Sequence, residues 1–349
     1  MRYYLLLVLF SLNSVFAFSA DRAKPKAGDG IYRFLYSHGR NMNDHYEEFL
    51  MLNKNKFGKN NTLLMDVSYL LPTLTSTSSV KSTTSKATST SNTASTSSSV
   101  NSRTNVQRES LFGKKYAEYE IKTNKLRGAT FYLVSGHGGP DSGAITKVDG
   151  HTLHEDEYAY DVMLRLARRL MMEGATVHII IQDKNDGIRD GRFLKNSKNE
   201  TCRGKSIPLN QEKRLRQRSD EINTLSNQSK DKYQRAVFIH IDSRNKNQRV
   251  DVFFYHNKLS ATGKNLANTM RTTFRERYQD VQAGRGFGGT VSTRELFVLN
   301  NTKPISLFVE LGNMQNESDQ KRFLLDSNRQ LLADWMCLGF IADYEKSKQ

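Results

Sequence analysis

Tyr132-Leu-Val-Ser-Gly-His137-Gly-Gly-Pro-Asp-Ser-Gly-Ala144 is an apolar run that ends in a histidine flanked by glycines. Small neighbours leave that imidazole accessible, and open α/β sheets place ligands and metals at the carboxyl ends of their strands. Two later runs end in the same way. Arg235-Ala-Val-Phe-Ile-His240 delivers a second histidine, and Ile305-Ser-Leu-Phe-Val-Glu310 delivers a carboxylate. Another carboxylate comes from the helical stretch opening at Glu155, whose apolar face runs through Ala159, Val162, Met163, Leu166 and Leu170. Glu155 lies one turn ahead of Ala159 on that face and is predicted to point at the sheet. Glu157 is in phase with Asp161 and Arg168 and is predicted to turn away. Asp156 and Glu157 read as an acidic first turn that complements the helix dipole.

His137, Glu155 and His240 make a donor set of two imidazoles and one carboxylate. Zinc in hydrolases is commonly held by three such ligands, with a fourth position left for a water whose pKa falls to roughly 7. Glu310 is then the carboxylate that takes a proton and passes it to a leaving nitrogen.

The elements that must position these residues alternate. Strands are predicted at 130–135, 176–181, 235–241, 250–255, 295–299 and 305–311, and helices at 155–173, 209–226, 260–279 and 318–344. Such alternation predicts an α/β fold, a mostly parallel twisted sheet flanked by helices.

The segment Gly136-His-Gly-Gly-Pro-Asp-Ser-Gly-Ala144, the acidic helix start, Phe238-Ile-His-Ile-Asp242 and Val309-Glu-Leu-Gly-Asn-Met-Gln-Asn316 resemble zinc-dependent N-acetylmuramoyl-L-alanine amidases of the amidase-3 type. Leu215-Arg-Gln-Arg218-Ser-Asp-Glu-Ile-Asn223 resembles that family's arginine-containing helix. The likeness spans roughly residues 128–345 and keeps the motif order. It implies a phosphorylase/hydrolase-like sheet, one zinc ion on His137, Glu155 and His240, and Glu310 as the catalytic glutamate. It also implies cleavage of the amide between N-acetylmuramic acid and L-alanine of the stem peptide. Three departures stand out. Ile241-Asp242 replaces the usual Ala-Asn, and residues 184–208 have no family counterpart and read as a surface excursion. The acidic helix start comes about three residues late, which leaves Glu157 as the alternative ligand to Glu155. Another zinc hydrolase, a peptidase or deacylase, and a non-catalytic peptidoglycan-binding protein are the competing readings.

The chain has 349 residues, 37% of them hydrophobic, and a formal net charge of +16. Residues 1–17 have a basic start, an apolar centre and small residues at the end, the anatomy of a secretory signal cleaved after Ala17. The expected location is the periplasm or the exterior, with no integral membrane span after cleavage. An exported basic chain meets other polyanions before nucleic acid, with cell-wall polymers, anionic lipids and acidic glycans as the natural candidates. The amidase-3 resemblance implies peptidoglycan as the partner, and nucleic acid is not expected. A regulatory activator protein is left open.

Residues 74–110 are largely Ser and Thr and read as a flexible linker with a reach of ~30 Å. Residues 28–73 precede it. Gly28-Asp, Leu52-Asn53 and Leu71-Pro72 there resemble the hallmarks of a LysM module, a small α+β unit of strand, two helices and strand that binds glycans containing N-acetylglucosamine. Residues 111–349 would form the catalytic domain. Cys202 and Cys337 lack CxxC partners, and the sequence leaves their pairing open. Gly284-Arg-Gly-Phe-Gly-Gly289 satisfies GxGxxG without the strand–turn–helix context of a dinucleotide site. His151, His154, His178 and His256 read as solvated or structural histidines.

Overall fold

Of the 349 residues, the computed structural model describes 21–26, 29–40, 42–58, 62–74, 106–282 and 284–349. The signal expected at 1–17 and most of the Ser/Thr-rich linker lie outside the described residues. Contacts divide the chain into two units, residues 1–90 and 91–349.

The first unit runs β1 (Arg22–Ala23), α1 (Ile31–Ser37), α2 (Met42–Leu52) and β2 (Tyr69–Leu70). Its first and last elements pair antiparallel, so β1 lies ahead of the boundary read at residue 28. Phe34, Leu35, Phe49, Tyr69 and Leu71 form the core. Asn53, just past α2, is buried and acts as a short piece of strand. Its Nδ2 donates to the carbonyls of Phe49 and Leu70, and its Oδ1 accepts from the Leu70 amide at 2.8 Å. Asn53→Ala would strand those backbone groups, at a cost of about 1–3 kcal/mol. The check is hydrogen exchange at the Leu70 amide, which should accelerate; unchanged protection would rule out this role.

The second unit opens with the antiparallel pair β3 (Val106–Arg108) and β4 (Glu118–Glu120). Then come β5 (Ala129–Ser135), the hairpin β6 (Ile145–Val148) and β7 (His151–His154), α3 (Glu155–Met172) and β8 (Thr176–Ile179). A small antiparallel sheet of β9 (Ile181–Gln182), β10 (Thr201–Cys202) and β11 (Lys205–Ser206) follows. The chain continues through α4 (Gln211–Gln228), β12 (Tyr233–Asp242), β13 (Phe253–His256) and α5 (Ala261–Val281). Next are β14 (Thr290–Thr293), α6 (Phe297–Asn301) and β15 (Ile305–Asn313), before α7 (Glu317–Leu324) and α8 (Asp326–Lys346).

The central sheet has six strands in the order β14-β13-β15-β12-β5-β8. Four of them, β15, β12, β5 and β8, are mutually parallel, and β13 turns antiparallel against β15. Every residue of β5 is buried, as expected of a parallel strand covered on both faces. Phe131, Leu133, Val237, Ile239 and Val309 pack with α3, α5 and α8 on one face. Tyr132, Val134, Phe238 and Phe308 pack with α4 and α6 on the other.

The α/β layering agrees with the sequence expectation, with three local corrections. The apolar run at 295–299 was expected as a strand but enters helix α6, while the edge strand is the β-branched Thr290–Thr293. Short apolar runs do not distinguish a strand from a buried helical turn, and Val298 and Leu299 bury equally well either way. The last helix is broken at Leu325, which adopts an extended conformation between α7 and α8. Residues 184–208 are no loose excursion: they pair through β10 and bury Ile188, Leu194, Cys202 and Ile207.

Candidate functional site

The carboxyl ends of β5, β12 and β15 and the start of α3 converge. Gly136 extends the ladder past β5 by donating its amide to the Ile239 carbonyl. A Cβ on Gly136 would stand 2.2 Å from His240 Cε1, so only glycine lets the second imidazole lie against this backbone. His137 then adopts φ 59°, a left-handed conformation uncommon for a side chain with a Cβ and typical of functional turns.

Glu155 is 4% exposed and lies between the two rings. Its Oε2 is 3.2 Å from His137 Nε2, and its Oε1 is 3.0 Å from His240 Nδ1. Backbone amides of Ala144 and Ile241 donate to the same two oxygens, at 2.9 and 3.0 Å. The Ile241 amide is free to do so because the β12–β15 register shifts between His240 and Asp242. One donor atom from each of His137, Glu155 and His240 lies within 4.8 Å of the others. The three residues singled out by phase and strand position are therefore brought together.

Further groups fix the rings. His137 Nδ1 is 2.9 Å from Asp141 Oδ2, which also accepts from Arg214 Nη2 at 2.6 Å. Arg218, buried on α4, donates to the His137 carbonyl. The His240 ring stacks on Phe308 at 4.3 Å between centroids. A cavity opens here between the strand tips and α4, lined by His137, Asp141, Arg214, Arg218, His240 and Phe297. The roles of Asp141 and Arg214 were not read from the sequence. The i, i+4 spacing of His137 and Asp141 within the glycine-rich turn was the available signal. A larger polar groove at the other end of β12, around Arg235, Thr262 and Asp343, is lined by no histidine.

Glu310 is the register partner of His240 across β12 and β15. It is 6% exposed, and its Oε2 has no hydrogen-bond partner among the described residues. Arg294 Nη1 stands 3.8 Å from its Oε1. Burial, reinforced by the charges of Glu155 and Asp242, pushes the Glu310 carboxyl well above the usual range. Burial acts the same way on Glu155, but hydrogen bonds from His137 and His240 outweigh it and hold that carboxylate well below its usual range. Burial opposes charge on His137 too, yet hydrogen bonds to Asp141 and Glu155 raise it to about 10. Burial lowers His240.

Glu157 does turn away from this centre, but not to solvent. It is 1% exposed and pairs with Arg189 Nη1 at 2.8 Å, beneath the 184–208 segment. Asp156 is 2% exposed, and burial together with the charges of Glu157 and Glu200 pushes it up to about 8. Cys202 and Cys337 are free and buried, on opposite faces of the sheet. His151 stacks on Phe193 and His178 on Tyr132. The Gly284–Gly289 turn is anchored by Asp251, which accepts from Arg285 and from the Gly288 amide. Among the described residues no helix is long and apolar enough to cross a membrane.

Residues 132–342 match the Amidase_3 family, described as N-acetylmuramoyl-L-alanine amidase. A curated relative, the "Probable cell wall amidase LytH" of Staphylococcus aureus, is 26% identical over 217 residues. The match covers 62% of this chain and 58% of the relative, so the chain spans less than two thirds of that relative's length. Among solved structures, an N-acetylmuramoyl-L-alanine amidase from Clostridium difficile 630 is 19% identical with a TM-score of 0.46, covering 63% of this chain and 98% of that one. The amidase AmiC2 of Nostoc punctiforme is 19% identical with a TM-score of 0.45, covering 63% and 99%.

Proposed function

The chain belongs to the Amidase_3 family of N-acetylmuramoyl-L-alanine amidases, and from that premise we propose an exported, zinc-dependent peptidoglycan amidase. It would hydrolyse the amide between N-acetylmuramic acid and L-alanine of the stem peptide, in cell-wall remodelling or daughter-cell separation. The observation that carries this reading is the meeting of His137, Glu155 and His240 beside a buried carboxyl, Glu310, whose Oε2 lacks a partner among the described residues.

The donor set fits zinc: two imidazoles and one carboxylate, with the carboxylate already within hydrogen-bond reach of both rings. Zinc held there would polarise the scissile carbonyl and lower the pKa of an attacking water. Asp141, itself braced by Arg214, orients the His137 ring from behind. Phe308 does the same for His240 through its stacked face. Glu310 accepts the proton of the attacking water and returns it to the departing amine, and burial, which raises its pKa, favours the protonated form that the second transfer starts from. The first unit would bind glycan as a LysM-like module. Its strand–helix–helix–strand order with paired end strands supports that role.

Mass spectrometry of sacculi digested by the full chain tests the reaction. Free stem peptides beginning at L-alanine are expected, and cuts within the peptide would replace the amidase by a peptidase. Chelation should abolish release and zinc should restore it. Because hydrogen bonds to Asp141 and Glu155 raise the His137 imidazole to about 10, zinc must displace a proton there. Acidification therefore weakens binding, and affinity should fall about tenfold per pH unit below about pH 10. Calorimetry in several buffers reads the released proton, and a pH-independent affinity would exclude His137 as a ligand.

A further inference from the structure

Next to the site, Asp156 and Glu157 at the start of α3 meet Glu200 from the 184–208 segment. One oxygen from each lies within 4.8 Å of the others, and all three residues are buried, at 2%, 1% and 6% exposure. Two oxygens on one calcium ion stand at most about 5 Å apart, twice the usual 2.3–2.6 Å bond. The spacing therefore fits a shared ion.

Nearby donors do not balance three buried carboxylates. Glu157 accepts from Arg189 at 2.8 Å and from the Ser197 amide, and Glu200 accepts from the Gly139 amide at 2.8 Å. Arg189 is itself shared with Asp186, 3.0 Å away. Asp156 Oδ1 accepts from the Glu157 amide, whereas its Oδ2 is buried with no hydrogen-bond partner among the described residues. The helix dipole favours acids at the first turn of α3, but it does not explain why Glu200, 43 positions after Glu157, is delivered to them. Nor is the chain acidic: it carries a net charge of +16. Burying unpaired carboxylates is costly unless a cation or a proton neutralises them.

We propose that Asp156, Glu157 and Glu200 form a second cation site, of calcium type, distinct from the His137–Glu155–His240 set. An all-oxygen donor set selects a hard cation over zinc. The ion would pin the 184–208 segment to the residues flanking Glu155. It would also pin it to the turn after His137, since Glu200 holds the Gly139 amide. The site is structural support for the neighbouring centre and does not depend on the reaction assigned there.

The test is calorimetric titration of the zinc-treated full chain with Ca2+, with thermal unfolding followed in parallel. One Ca2+ per chain and a raised midpoint are expected. Glu200→Gln and Asp156→Asn should each weaken Ca2+ binding at least about tenfold, since affinity follows ligand charge. His240→Ala should bind Ca2+ like the parent chain, which separates this site from the zinc reading. Cooperative unfolding of the two carboxyl variants establishes that they fold. Absence of binding and of any midpoint shift in the parent chain would overturn the proposal, with the carboxylates then neutralised by protons. So would parental Ca2+ affinity in both folded carboxyl variants, or loss of Ca2+ binding in His240→Ala.

Discussion

Glu310→Gln is expected to lower stem-peptide release by about 10²–10⁴-fold, the range of a general acid–base group, with zinc content unchanged. The variant keeps the shape of the side chain and its place opposite His240 on β15. What it loses is the ability to take a proton. Glu310 has no hydrogen-bonded donor on its Oε2, and Arg294 at 3.8 Å is too distant for a tight ion pair, so a structural role offers no competing explanation. Burial makes the neutral amide easy to accommodate, and the variant should unfold at or above the parent temperature. Activity near the parent level, with product and metal content both measured, would remove Glu310 from the mechanism.

Arg329→Met should cost about 3–5 kcal/mol, the usual penalty for breaking a buried ion pair, because it removes one of the two arginines on Asp161 and strands the carbonyls that Arg329 serves. That is a third or more of the stability of many domains. Arg329 on α8 is fully buried and donates to Asp161 on α3 at 2.6 Å. It also donates to the carbonyls of Phe323, Arg189 and Gly191. It thereby ties α3, α7, α8 and the 184–208 segment at one point. Burial alone would raise Asp161, but Arg165 and Arg329 hold it below its usual range. That stability is present above the pKa of an unfolded aspartate and is lost as pH falls through the lower folded value. Denaturant unfolding at neutral pH is the measurement. Arg329→Met combined with Asp161→Asn should recover part of the loss, because the two residues interact directly. A loss below 1 kcal/mol for the single variant would show that Arg165 alone satisfies Asp161.

Several features were legible in the linear chain because they depend on local periodicity. The strands expected at 130–135, 235–241 and 305–311 are apolar runs that a doubly covered parallel sheet requires, and they fall within β5, β12 and β15. The apolar runs lead into His137, His240 and Glu310, so the candidate site followed from where each run meets a polar residue, although β12 and β15 continue past theirs. Glu155 followed from helical phase, since one turn of α3 separates it from Ala159 on the inward face. Other features depend on which distant segments meet, and periodicity is silent there. Asp141 and Arg214 became partners only when α4 packed beside the His137 turn. Helical phase turned Glu157 and Asp161 away from the sheet but could not show what they meet, because their cationic partners, Arg189, Arg165 and Arg329, include residues 32 and 168 positions away. The fate of residues 184–208, a polar stretch that could equally have stayed in solvent, was decided by pairing with β9 and by the buried carboxylates that Glu200 joins. Side-chain pattern determines what a segment can bury; tertiary packing determines which charges must be buried together.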